Sequence, residues 1–162
     1  MLKIYFHDKQ TISLNLFEAS KAGNLSEVQI LLTIPDVDPN ITDKFNCTAL
    51  SYASRKNNLK IVQLLLSHGA DPNTRDIDKL TPLFVASEFN FPEIVELLLL
   101  GGADPNILNK DDDSPLSIAI HQHNFKIVEI REEYFSSLKN LSVGSIRKHR
   151  IDITKVPSTL LF

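Results

Sequence analysis

Thr48-Ala49-Leu50, Thr81-Pro82-Leu83 and Ser114-Pro115-Leu116 stand 33 residues apart, and Asp43, Asp76 and Asn109 precede them at the same spacing. A fixed period of this length marks a chain built from stacked supersecondary units. Each hydroxyl residue can cap a helix N-terminus through its side-chain oxygen, and Pro82 and Pro115 then occupy the first helical position, where a missing N–H costs nothing. Four residues beyond Ala19, Ala53, Ala86 and Ala119 come Gly23, Asn57, Asn90 and His123. All four are residue types enriched in the left-handed conformation that a tight turn between helices requires. The unit is therefore a helix-turn-helix.

After that turn the chain reads Leu59-Lys60-Ile61-Val62-Gln63-Leu64-Leu65-Leu66 and Pro92-Glu93-Ile94-Val95-Glu96-Leu97-Leu98-Leu99. The apolar residues are too dense for a helix with one wet side, so these helices are expected to lie between neighbours. Gly69-Ala70-Asp71-Pro72-Asn73 and Gly102-Ala103-Asp104-Pro105-Asn106 follow, a glycine stop and then turn chemistry leading into the next unit.

These residues resemble the ankyrin repeat: an Asp-initiated turn, Thr-Pro-Leu, an alanine-rich first helix, a turn, a Val/Leu-rich second helix, then Gly-Ala-Asp. The resemblance implies an all-α ankyrin-repeat solenoid whose helix-turn-helix repeats are joined by β-turn tips. It divides the chain into an N-terminal segment 1–14, repeats over 15–130 (about 15–42, 43–75, 76–108 and 109–130) and a C-terminal segment 131–162. The first copy is irregular, with Ile34-Pro35-Asp36 replacing the glycine and 34 residues separating Ala19 from Ala53. Terminal copies that depart from the pattern are what capping of a stack demands. The family's histidine after Thr-Pro-Leu is Ser51, Phe84 and Ser117 here, and its turn glycine is Asn46, Lys79 and Asp112.

The chain has 162 residues, a formal charge of -3, 43% hydrophobic residues and one cysteine, Cys47. A disulfide within one chain is excluded, no apolar run approaches the roughly 20 residues of a membrane span, and Met1 to Asp8 is too short and interrupted to read as a secretory signal. The expectation is an intracellular chain, cytoplasmic or nuclear, with no membrane partner.

The repeat rule stops at Arg131 and Glu132, which stand where earlier copies have Leu65-Leu66 and Leu98-Leu99. Residues 131–162 hold six Lys or Arg against three acids, a reversal of the charge of the remainder. Ser137-Leu138-Lys139-Asn140-Leu141-Ser142-Val143-Gly144-Ser145-Ile146-Arg147 resembles a SOCS box, a short helical box that follows ankyrin arrays. The resemblance implies helix-in-groove docking to elongin C. Leu138, Ser142 and Ile146 fall on its leucine, cysteine and aliphatic positions, Leu141 strengthens the stripe, and Val156-Pro157 stand in the segment that contacts a cullin. Residues four apart share a helix side, so Leu138, Leu141 and Ile146 also fit a helix that merely caps the last repeat.

By resemblance, a target protein is held by the turn tips and the exposed sides of the first helices. The candidate residues there are Phe45, Arg55, Ile77, Asp78, Leu80, Glu88, Phe89 and His121, with Lys44, Cys47, Asp111 and Asp113 beside them. Phe45, Ile77, Leu80 and Phe89 are apolar where an isolated array would meet solvent, and contiguous apolar surface marks interaction sites. Leu80 and Phe89 also fit residues folded back on adjacent repeats.

Nothing in the sequence assembles catalytic chemistry. A glycine-rich phosphate loop and paired cysteine ligands are absent, and Cys47 has no base near it in sequence. His121 and His123 lie two apart and do not face the same way on a helix, so no metal site or cofactor is expected. Arg147-Lys148-His149-Arg150 lacks the aromatic interleaving and basic domain of a nucleic-acid surface, and no nucleic-acid partner is expected. The sequence implies a non-enzymatic subunit that binds a target through its repeats and links it, through elongin B/C and a cullin, to a ubiquitin ligase. The alternative is a plain ankyrin adaptor or scaffold.

Overall fold

A computed structural model describes the chain over residues 9–140, and its side chains over 11–136. The described residues form eight helices and no strand: α1 (Lys9–Ala22), α2 (Leu25–Leu32), α3 (Ala49–Arg55), α4 (Leu59–Ser67), α5 (Pro82–Glu88), α6 (Pro92–Leu100), α7 (Pro115–His121) and α8 (Phe125–Asn140). The helices alternate between two layers. α1, α3, α5 and α7 stack as an inner row, α2, α4, α6 and α8 as an outer row, and each inner helix packs on its own outer partner.

The helix starts follow from the hydroxyl residues. Thr48, Thr81 and Ser114 accept hydrogen bonds from Ser51 N, Phe84 N and Ser117 N at 3.2, 3.1 and 3.0 Å. Ser51 and Ser117 return a hydroxyl to the cap backbone, closing a capping box. Serine at the position of the family's histidine therefore serves the helix N-terminus. The turns between helices are left-handed at Gly23, Asn57, Asn90 and His123, with φ of 76, 57, 58 and 58°. The next N–H then reaches back to Ala19, Ala53, Ala86 or Ala119, satisfying a carbonyl the helix end leaves open. Gly69 and Gly102 take φ of 85 and 92° after α4 and α6, and Asp36 takes 64° where the first copy lacks its glycine.

The core runs along the seam between the layers, with Leu16, Leu50, Leu83, Val62, Val95, Leu65, Ile94 and Leu98 each 2% exposed or less. The period breaks in both helices of the last repeat. Ser20, Ser54 and Ser87 occupy one register position and are buried beneath the following repeat, whereas Ile120 in the same position of α7 is 49% exposed. Arg131 takes the register of Leu65 and Leu98, half-buried, with its guanidinium 4.5 Å from the Phe135 ring centroid. α8 continues unbroken to Asn140 where α4 and α6 have already stopped.

Leu141, Ser142, Ile146, Val156 and Pro157 lie outside the described residues, and Leu138 is described only as backbone of α8. No described helix is long and apolar enough to cross a membrane.

Candidate interaction surface

Three turn tips project from the starts of α3, α5 and α7, and one carboxamide or carboxylate organises each. Asp43 Oδ1 accepts from Phe45 N and Cys47 N, both at 2.9 Å. Asp76 Oδ1 accepts from Asp78 N and Leu80 N at 2.9 and 2.8 Å, and Asn109 Oδ1 from Asp111 N and Asp113 N at 2.9 Å each. This is the physical content of the 33-residue Asp, Asp, Asn spacing: a side-chain oxygen closes the turn over two orphan N–H groups. The residues where the family has glycine, Asn46, Lys79 and Asp112, adopt φ of 59, 60 and 61°.

Adjacent tips are joined by backbone. Ile77 N donates to Phe45 O at 3.0 Å and Lys110 N to Asp78 O at 3.2 Å. These bonds set the side chains of neighbouring tips side by side, leaving Phe45 45% and Ile77 62% exposed. Leu80 is half-buried beneath the tip rather than displayed on it. Asp78 carries an exposed ion pair with Lys110 at 2.7 Å.

On the inner helices, Phe89 caps the end of α5, is 47% exposed and stacks on Phe91 with centroids 6.1 Å apart. The Arg55 guanidinium of the preceding repeat lies 5.8 Å from its ring centroid. Phe89 is thus supported both from its own repeat and from the repeat before it. Glu88 is half-buried and His121 exposed, each at the last position of its helix.

Sequence reasoning did not select Lys21 or Tyr52. Lys21 Nζ lies 5.2 Å from the Tyr52 ring centroid and 5.8 Å from that of Phe17, and the two rings meet edge to face at 5.2 Å. The signal was present: Lys21 precedes Arg55 by 34 residues, the same step as Ala19 to Ala53, so the two cations hold one register position in successive repeats.

Cys47 is half-buried, and burial, followed by the carboxylates of Asp43 and Asp76, pushes its thiol up to about 11 against the opposing pull of Arg55. A thiol so held stays protonated at neutral pH and is a poor nucleophile. No three His, Cys, Asp or Glu side chains among the described residues are grouped to hold a metal ion. Leu83, Val95, Leu99, Leu116, Ile127 and Arg131 line a shallow cleft between the third and fourth helix pairs. It is an apolar seam of the stack, without convergent polar groups.

Compared with known families, residues 16–109 match the model described as Ankyrin repeats (3 copies), more than half of the chain. The match ends before α7 and α8, and no SOCS-box family model matches the C-terminal residues. No curated protein matches the chain.

Proposed function

Since this chain belongs to the ankyrin-repeat family, whose arrays are protein-protein interaction modules, we propose that it captures a target protein with its tips and inner helices and performs no chemistry itself. The observation that supports the reading is the exposure of Phe45, Ile77 and Phe89, each 45% or more, on tips and an inner helix end whose backbone is fixed by the repeat. Large apolar groups held rigidly at a surface give a partner contact area at little further entropic cost. Asp78, Glu88, His121 and Arg55 frame them as a polar rim, and half-buried Leu80 supports the tip. The test is capture of a target by the wild-type chain and by a Phe45→Ser, Ile77→Ser, Phe89→Ser variant. Loss of capture with helicity intact is the expected result. Undiminished capture refutes the surface.

A narrower form of the proposal makes the module the substrate-recognition subunit of an elongin-cullin ubiquitin ligase, with Leu138, Leu141, Ser142 and Ile146 docking elongin C and Val156-Pro157 facing a cullin. Its support is the four-residue spacing of Leu138, Ser142 and Ile146 and its place after an ankyrin array. The alternative, an adaptor whose C-terminal helix only caps the stack, draws support from α8, which runs without a break from the last repeat into Leu138. Co-purification with elongin B and C separates the two. Stable binding abolished by Leu138→Asp supports the ligase role, and absence of binding leaves the adaptor.

A further inference from the structure

Lys21, Arg55, Glu88 and His121 hold one register position, the last turn of each inner helix. The helix dipole favours a cation there, which accounts for the charge of Lys21 and Arg55 but not for their placement. Both reach forward onto an aromatic ring of the next repeat: Lys21 onto Tyr52, and Arg55 onto Phe89. Lys44, on the tip of the second repeat, lies 5.0 Å from the Phe45 centroid. None of the three is in an ion pair among the described residues.

Local acids among the described residues form no ion pair with them. Both oxygens of Asp43 are engaged, one by the turn N–H groups and the other by Tyr52. Glu18, exposed one turn before Lys21, forms no ion pair with it. The sign then reverses at the third repeat, where Glu88 takes the register and Asp78 is committed to Lys110.

We propose that the partner segment held by this face is acidic and apolar in turn, setting carboxylates against Lys21 and Arg55 of the first two repeats and aliphatic or aromatic side chains beside Phe89. The inference rests on the reading of this surface as the target-binding face. A cation already resting on a ring loses little more rotamer freedom when a carboxylate arrives, and the fork of Arg55 can grip a carboxylate through two N–H groups. A basic segment meets like charge at the same place, which discriminates against it. Phosphates of a single-stranded nucleic acid are the other anion source. Beside Lys21, Phe17 is buried and Tyr52 half-buried, so that cation stands without a ring platform on which a base could stack, and the oligothymidylate arm below separates the two sources.

The full chain is titrated by fluorescence anisotropy with a labelled peptide of roughly a dozen residues alternating Glu with Leu and Phe, long enough at about 3.3 Å per residue to cross three repeats. The same peptide with Lys for Glu, and an oligothymidylate, are the comparison probes. The Glu peptide is expected to bind at least about tenfold more tightly than either, and to weaken with added salt. Lys21→Glu with Arg55→Glu should remove that preference, whereas Lys60→Glu on the outer helix α4 should keep it. Lys21→Gln with Arg55→Gln serves if charge reversal disturbs the helical spectrum. Failure of the Glu peptide to bind, equal binding of both peptides, tighter oligothymidylate binding, or indifference to both double variants overturns the proposal. If the Phe45, Ile77, Phe89 serine variant loses its target while the charge variants retain it, the binding face stands and only the acidic partner falls.

Discussion

Tyr52 Oη donates a hydrogen bond to Asp43 Oδ2 at 3.1 Å, tying the inner helix of the second repeat to its own turn tip. The other oxygen of Asp43 holds Phe45 N and Cys47 N, so one carboxylate fixes the tip to itself and to the helix that follows. Removing it leaves two N–H groups and a phenol without an acceptor. At about 1 kcal/mol per bond, Asp43→Ala should cost about 3 kcal/mol, and Tyr52→Phe, which loses one bond, about 1 kcal/mol. Urea unfolding followed by circular dichroism measures both. Equal losses in the two variants would show that the tip closes without Asp43.

Alkaline pH should loosen the same region. The Cys47 thiol is pushed from 9.0 to about 11 by burial and neighbouring carboxylates, and Tyr52 is raised in the same direction by burial and by its bond to Asp43. A raised value means that the folded state holds the proton more tightly than the unfolded chain. The contribution is therefore complete below pH 9.0 and is lost as pH climbs through about 11. The urea midpoint is expected to fall across that window in the wild type and to fall less in Cys47→Ser. Native Cys47 should also react slowly with a disulfide reagent at neutral pH, and unfolded chain quickly. An unchanged alkaline slope in Cys47→Ser counts against this origin.

Three serines in one register position give a controlled comparison. Ser20 Oγ donates to Leu16 O at 2.7 Å and Ser87 Oγ to Leu83 O at 2.8 Å, but the equally buried Ser54 Oγ has no hydrogen-bond partner. A buried hydroxyl without a partner carries its desolvation cost uncompensated. Ser54→Ala should thus stabilise the chain by up to about 1 kcal/mol, while Ser20→Ala and Ser87→Ala each cost about 1 kcal/mol. Thermal melts of the three single variants decide it, and the same sign for all three would contradict the geometry.

The period made the solenoid legible because each signal in it has a local cause. Thr48, Thr81 and Ser114 cap helices, and Asn57, Asn90 and His123 are left-handed because a two-helix turn needs them so. The candidate surface was legible only in part. Exposure of Phe45, Ile77 and Phe89 follows from register, but Leu80 shares the tip register of Cys47 and sinks half-way beneath the turn. The ring contacts of Lys21 and Arg55 join side chains of different repeats, so no single repeat announces them. Leu141, Ser142, Ile146, Val156 and Pro157 have no structural counterpart among the described residues.

Lys79 adopts a φ of 60° with a long side chain that makes no compensating local bond to its own turn. The left-handed conformation costs an ordinary residue roughly 1–2 kcal/mol, part of which glycine gives back as unfolded-chain entropy. Lys79→Gly should raise stability by about 0.5–1 kcal/mol. Asn46→Gly should gain nothing, because asparagine tolerates the conformation and its Nδ2 also bonds Arg75 O of the next repeat. Chemical denaturation of both variants tests the contrast, and a stability loss in Lys79→Gly would place the strain elsewhere.

Asn40 and Asn73 clamp successive outer loops. Asn40 Nδ2 donates to Gly69 O at 3.2 Å while its Oδ1 accepts from Asp71 N at 2.7 Å, and Asn73 repeats the pair on Gly102 O and Asp104 N at 3.1 and 2.7 Å. Asn106 has the third register position, but its side-chain amide reaches only Asp104 Oδ1 within its own loop. In a quasi-one-dimensional stack, stability is a sum of repeat terms and nearest-neighbour interface terms. Asn40→Ala and Asn73→Ala remove an interface term and should each cost about 2 kcal/mol, whereas Asn106→Ala should stay within about 0.5 kcal/mol. Loss of coupling also has a signature that loss of stability alone does not. Unfolding followed separately at the first and the last repeats should divide into two transitions in Asn73→Ala while remaining one in Asn106→Ala. A single transition in both, with equal losses, would mean that the apolar seam alone couples the repeats and the asparagines are ornament to it.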